Sequence, residues 1–121
     1  RFIRDLNADK TVNLFGKGEE KRDHIFIDDV ANIITECINN NITGNITLAT
    51  GRVVSFFEIA NITCKYKGLS IDKKKFNKRK GAMPHNGYRA FDVNKLKNSI
   101  KGIKLTSIEE GIKHSIDKLF E

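Results

Sequence analysis

A chain of 121 residues makes one domain or part of one, because domains run to about 100–200 residues, so two full lobes are excluded. Hydrophobic residues make up 39% and charged residues 31%, and no run approaches the roughly 18 apolar residues of a membrane helix, so a spanning helix is excluded too. Twenty-two Lys and Arg against fifteen Asp and Glu leave a net charge of +7, which suits phosphate-bearing partners without choosing among them. Sixteen Ile, sixteen Lys and twelve Asn point to a compositional bias that inflates lysine, and the basic balance is discounted accordingly. The opening Arg1-Phe2-Ile3-Arg4-Asp5 carries no secretory signal and predicts a chain that begins inside a longer gene product. Cys37 and Cys64 fall in helical patterns rather than at framework spacing, which favours a reducing cytoplasm over a disulfide scaffold.

In chain order, Phe2, Ile3 and Leu6 have the spacing of a short helix, and Thr11 to Phe15 alternates as a strand before Gly16-Lys17-Gly18 turns the chain. His24-Ile25-Phe26-Ile27 predicts a second strand, closed by Asp28-Asp29 as the cap of a helix with Val30, Ile33, Ile34, Cys37 and Ile38 on one stripe. Gly44 opens a third predicted strand, Asn45 to Ala49. Ser55-Phe56-Phe57-Glu58 fits a capping box for a helix to about Lys67, stopped by Gly68. Ser70 to Phe76 suits another strand. Asp92 caps a short helix, and Thr106 to Glu110 offers two overlapping capping boxes for a last helix that buries Ile108, Ile112, Ser115, Ile116 and Leu119.

The fold class is α/β. So few short strands cannot serve four or five amphipathic elements, and 45–50 needs neighbours on both edges, which predicts a segment that completes a sheet with strands upstream of Arg1.

Gly16-Lys17-Gly18 lacks the third glycine of a dinucleotide loop and leads toward a strand, so it is read as a plain turn. In Lys21 to Ala31, an arginine stands before a buried-looking strand with an acidic helix start after it. Arg22 held at a strand end presents two parallel N–H donors to a phosphate or a carboxylate. Spacing alone puts the ion pair, with Asp23 for example, ahead of the ligand.

Phe15-Gly16-Lys17-Gly18, Arg22 to Ala31, Gly44 to Gly51 and Ser55 to Ala60 together resemble the C-terminal part of the extended short-chain dehydrogenase/reductases, the NAD-dependent nucleotide-sugar epimerases and dehydratases. Phe91 to Leu96 and Ser107 to Ile112 are similar to that family's last two helices. The resemblance implies the substrate-binding portion of a Rossmann-type enzyme, lacking the N-terminal dinucleotide-binding half that holds NAD or NADP and the catalytic Tyr and Lys. No Y-x-x-x-K occurs in this sequence, so no catalytic, cofactor-binding or metal residue is assigned and the segment is not expected to catalyse alone. In the complete enzyme it implies hydride transfer from a nucleoside-diphosphate sugar to the cofactor, followed by re-reduction or loss of water, and commonly a homodimer.

By the same resemblance, Asn13 and Phe15 lie against the nucleotide base, with ordinary core as the equal alternative for Phe15. Arg22 becomes a diphosphate contact, reversing the ion-pair preference. Arg79 matches a second diphosphate-contacting arginine, although Lys80 and Ala82 replace the family's usual Pro and Asp beside it. Arg89 is its rival, and Arg79 ranks first. Met83 to Arg89, with the chain's only proline, predicts an extended stretch and a turn at Asn86-Gly87.

Two alternatives stand beside this reading. One is a small basic module binding nucleic acid through Lys73-Lys74-Lys75 and Lys78-Arg79-Lys80, against which thin aromatic interleaving counts. The other is a non-catalytic, degenerate member of the family. His24, His85 and His114 make no ligand spacing with the cysteines, and no zinc site is assigned.

Overall fold

The computed structural model describes residues 2–9, 11–69 and 74–120. Helix α1, Phe2–Asp9, leads into strand β1, Val12–Phe15, and strand β2 is Lys21–Asp23. Helix α2 spans Ile27–Asn39, strand β3 Val53–Ser55 and helix α3 Phe56–Tyr66. Strand β4, Lys74–Asn77, is followed by a turn over Pro84–Gly87, strand β5 at Tyr88–Arg89, helix α4 at Asn94–Ser99 and helix α5 at Ile108–Phe120.

The strands form two small sheets. β1 and β4 pair in parallel, with Phe15 opposite Asn77, and the Gly16 N–H extends the ladder to the Asn77 carbonyl at 2.9 Å. In the other sheet β2 lies between β3, antiparallel to it, and β5, parallel to it. β3 and β5 were not anticipated, being only three and two residues long. The first part of the predicted strand from Ser70, residues 70–73, lies outside the described residues.

α3 ties the sheets together. Its Ala60 and Cys64 close over Val12 and Leu14, with Phe2, Phe56 and Leu69 around them. Burial of each such aliphatic side chain stabilises by about 1.5–3 kcal/mol. Its N-terminus is the predicted capping box: the Ser55 hydroxyl accepts from the Glu58 N–H, and the Glu58 carboxylate accepts from the Ser55 N–H at 2.7 Å. α5 uses the second of its two overlapping boxes, Ser107 with Glu110, and buries Ile112 and Ile116, lying against α3.

Four expectations need correction. The strand sought at His24 to Ile27 is Lys21–Asp23, because the Asp23 carboxylate takes the N–H groups of Thr50 and Gly51 at 2.9 and 2.7 Å and ends the pairing there. Asp28 and Asp29 do not cap α2, which starts at Ile27 behind Phe26 with no side-chain cap; Asp28 pairs with Lys118 and Asp29 with Thr106. Of the expected α2 stripe only Ile33 is buried, while Ile34 is 49% and Ile38 70% exposed. Ile33, Ile34, Cys37 and Ile38 of that helix line a shallow groove together with Ile42, Ile46 and Leu48 of the following segment. Residues 45–49 likewise have no strand partner among the described residues.

Candidate functional site

The site starts at the turn between β1 and β2. Gly16 and Gly18 have φ of +59° and +72°, the left-handed region that glycine enters without penalty. A Cβ on Gly18 would stand 3.0 Å from the Phe57 backbone nitrogen, and the Gly18 carbonyl accepts from that N–H at 2.9 Å. The plain-turn reading of this G-x-G matches the geometry, since the turn runs into β2 and not into a helix. The Glu20 carbonyl accepts from the Phe56 N–H at 3.1 Å, and this pinning turns the Glu20 side chain inward, where the residue is only 6% exposed.

Glu20 gathers both arginines singled out from the sequence. Its Oε1 accepts from Arg22 Nε at 2.8 Å and from Arg22 Nη2, while Oε2 lies 3.0 Å from Arg79 Nη2. The guanidinium-bearing side chains are 27% and 21% exposed. Arg22 and Arg79, 57 positions apart by number, therefore share one carboxylate. Asp23, considered as the partner of Arg22, is engaged instead with Thr50 and Gly51.

Beside them opens a cleft of about 360 Å³ whose lining includes Asn13, Phe15, Glu20, His24, Phe56 and Arg79. Phe15 is 47% exposed, so it is not ordinary core. Asn13 is half-buried and its side-chain oxygen accepts from Asn77 Nδ2 at 3.3 Å. Arg89 stands opposite Arg22 in the parallel ladder, but its guanidinium lies over the Phe91 ring at 5.2 Å and it is not among the residues lining the cleft. The structure thus brings Asn13, Phe15 and Arg79 to one cleft, joins Arg22 to it through Glu20, and leaves Arg89 aside.

Two buried donors or acceptors in this region have no hydrogen-bond partner among the described residues: Arg79 Nε and His24 Nε2. Such orphans are rare in native interiors and call for a specific explanation. Burial holds the His24 imidazole below its ordinary pKa, and the Arg22 charge acts in the same direction against the opposing pull of Asp23. Its ring meets Phe56 edge-on at 5.7 Å.

Sequence reasoning missed Glu20 and weighed His24 only as a metal ligand. Glu20 had a usable signal, because residues i and i+2 on an extended segment share a face, which sets Glu20 beside Arg22. The lysine run is partly consumed by structure: Lys74 Nζ donates to Asn61 Oδ1 and lies 4.3 Å from the centre of the Phe57 ring.

A family model described as the NAD dependent epimerase/dehydratase family matches residues 1–49. The match covers less than half of the chain. It takes in α1, β1, the Glu20 turn, β2 and α2. Solved structures of this fold align over nearly the whole chain. The dTDP-glucose 4,6-dehydratase of Bacillus anthracis, a complex with NAD, is 15% identical over 96% of this chain and 36% of its own, with a TM-score of 0.80. The ADP-L-glycero-D-manno-heptose-6-epimerase of Helicobacter pylori is 21% identical over 98% and 35%, with a TM-score of 0.82. The UDP-glucuronic acid 4-epimerase of Bacillus cereus in complex with NAD is 22% identical over 97% and 36%, with a TM-score of 0.72. At these identities the likeness is one of fold. The chain spans little more than a third of the length of these epimerase/dehydratase chains, so it is part of the α/β fold that they share. Among the described residues no helix is long and apolar enough to cross a membrane.

Proposed function

We propose that this chain is the substrate-binding portion of an NAD-dependent nucleotide-sugar epimerase or dehydratase, with Arg22 and Arg79 gripping the diphosphate and Phe15 and Asn13 receiving the base. The observation that carries the reading is the convergence of two guanidiniums from distant segments on one carboxylate, beside a cleft with an exposed aromatic ring. Arginine forks match phosphate oxygens as they match a carboxylate, and the orphaned Arg79 Nε adds a buried donor that a phosphate oxygen would satisfy. His24, whose imidazole burial pushes below its ordinary pKa, adds a second unpartnered nitrogen, Nε2, in the same cleft.

The work of these residues is positional. Gripping the diphosphate fixes the sugar relative to a reactive centre, and such remote binding energy lowers the barrier only when it holds a reactive geometry. The described residues do not themselves fit NAD: their glycine pair feeds a strand, and Glu19 and Glu20 stand where a pyrophosphate would need bare N–H groups. The cofactor, which supplies the hydride chemistry, is assigned to chain outside this portion. The partly exposed face of α2 and the unpaired segment 45–49 are read as the surfaces that meet it.

Calorimetric titration with UDP and dTDP, on the protein and on its Arg22→Ala and Arg79→Ala variants, tests the reading. Each substitution is expected to weaken binding at least tenfold, the scale of one lost charge-assisted contact of about 1.5–3 kcal/mol. Affinity in both variants equal to that of the unmodified protein would refute the clamp. Binding to a single-stranded oligonucleotide that falls steeply with salt would instead favour the nucleic-acid module.

A further inference from the structure

We infer that Glu20 is an internal stand-in for the ligand's phosphate charge: its carboxylate holds the Arg22 and Arg79 guanidiniums together in the free protein and surrenders them to an incoming diphosphate. The inference rests on the clamp reading above and adds a residue that sets how tightly and how selectively the clamp closes.

The geometry is that of a carboxylate doing a phosphate's work. One oxygen takes Nε and Nη2 of Arg22, and the other takes Nη2 of Arg79, so both oxygens are committed to guanidinium donors. The residue is 6% exposed, which leaves little water to share the charge. Without it, two partly buried cations would face each other unpaired, a costly arrangement. With it, the cluster of two cations and one anion carries a net single positive charge. A diphosphate brings at least two negative charges, and an unmoved Glu20 would oppose them at close range in a poorly solvated place.

The backbone makes an exchange feasible. The Glu20 carbonyl is fastened by the Phe56 N–H and the preceding turn is seated on α3 by the Gly18 carbonyl. The main chain therefore stays put while the carboxylate moves about its side-chain torsions. Arg22 is anchored in β2 between β3 and β5, so its guanidinium remains at the site when the carboxylate leaves. Competition of this kind discriminates among ligands. A single weak anion does not repay the loss of two charge-assisted contacts, whereas a diphosphate offers an oxygen to each arginine.

The test uses inorganic pyrophosphate, with inorganic phosphate as the weaker anion, titrated into the protein and into Glu20→Gln. Glu20→Gln keeps the shape and removes the charge. Expected are a lower melting temperature without ligand, pyrophosphate affinity raised about tenfold at low salt, a steeper loss of that affinity with salt, and a reduced preference for pyrophosphate over phosphate. Unchanged or weaker pyrophosphate binding in Glu20→Gln overturns the inference. If that variant does not fold, the Nε–H resonance of Arg22 in the unmodified protein decides instead. It should shift on saturation with pyrophosphate, and a fixed resonance in the saturated protein overturns the inference equally. Arg22→Ala separates the two levels: loss of pyrophosphate binding there, with no gain in Glu20→Gln, leaves the clamp standing and removes only the stand-in. Pyrophosphate binding indifferent to both arginines removes the clamp itself.

Discussion

The Asp29 carboxylate accepts two hydrogen bonds from a single residue 77 positions away: Oδ2 from the Thr106 N–H and Oδ1 from the Thr106 hydroxyl, both at 2.8 Å. It thereby fastens the first turn of α2 to the start of α5, whose N-terminal box begins at the next residue, Ser107. Asp29 is buried, so removing its side chain strands a donor pair with little access to water. Asp29→Ala is expected to destabilise by about 1–3 kcal/mol, and Asp29→Asn to recover part of that loss. Chemical denaturation of the three proteins checks it, and equal midpoints would show that the link is ornamental.

The capping box of α3 sits directly behind the site turn, because Phe56 and Phe57 donate to the carbonyls of Glu20 and Gly18. Ser55→Ala should cost about 1 kcal/mol. Its effect should not add to that of Glu58→Ala, since the two side chains serve each other. A double-mutant cycle on the unfolding free energy measures the coupling, and strict additivity would contradict the reciprocal geometry.

Stability should respond to pH in two separate windows. His24 is shifted down, chiefly by burial, so below its ordinary value of about 6.5 the unfolded chain takes up a proton that the folded chain refuses. The stability His24 confers is complete above that pH and is lost as pH falls toward the lowered folded value. Glu58 and Glu110 are shifted down as well, Glu58 first by the Ser55 backbone N–H and Glu110 first by the Ser107 hydroxyl. Their contribution is present above the ordinary glutamate pKa and drains away only as pH falls below it. His24→Phe, which keeps a ring against Phe56, should flatten the upper window and leave the lower one. Thermal unfolding from pH 2 to pH 8 reads both, and an unchanged slope between pH 5 and pH 6.5 would sink the assignment.

How much of this was legible in the sequence depends on the range of the interaction. Both capping boxes and the glycine turn are local patterns, complete within a few residues, and they appear where the spacing predicts, whereas the expected stripe of α5 is buried at Ile112 and Ile116 but not at Leu119, which is 62% exposed. The fate of Asp28 and Asp29 was not legible, because an acidic pair before a helix reads as a cap until its partners, Lys118 and Thr106, are brought from the other end of the chain. The strand boundary at Asp23 has the same cause, a carboxylate claimed by Thr50 and Gly51. Arg22 stood out by its place before a strand, but its preference for a phosphate, and Arg79 altogether, came only through resemblance to a family. Glu20 escaped because a carboxylate beside an arginine usually marks an exposed ion pair, and nothing local announces that it is buried and also holds Arg79.

Phe15 offers a way to separate recognition of the base from the grip on the phosphates. Its ring is 47% exposed and lines the cleft with Asn13, while Arg22 and Arg79 act through charge. Packing of a nucleobase on an aromatic ring contributes about 0.5–1.5 kcal/mol beyond area burial, so Phe15→Ala should weaken UDP binding by roughly twofold to tenfold. Inorganic pyrophosphate, which has no base, should bind the variant as it binds the unmodified protein. Phe15→Tyr, retaining the ring, should restore most of the UDP affinity. Side-by-side calorimetry with the two ligands makes the comparison. If UDP and pyrophosphate fall together, Phe15 supports the shape of the arginine site instead of contacting the base; if neither falls, the base lies elsewhere in the cleft.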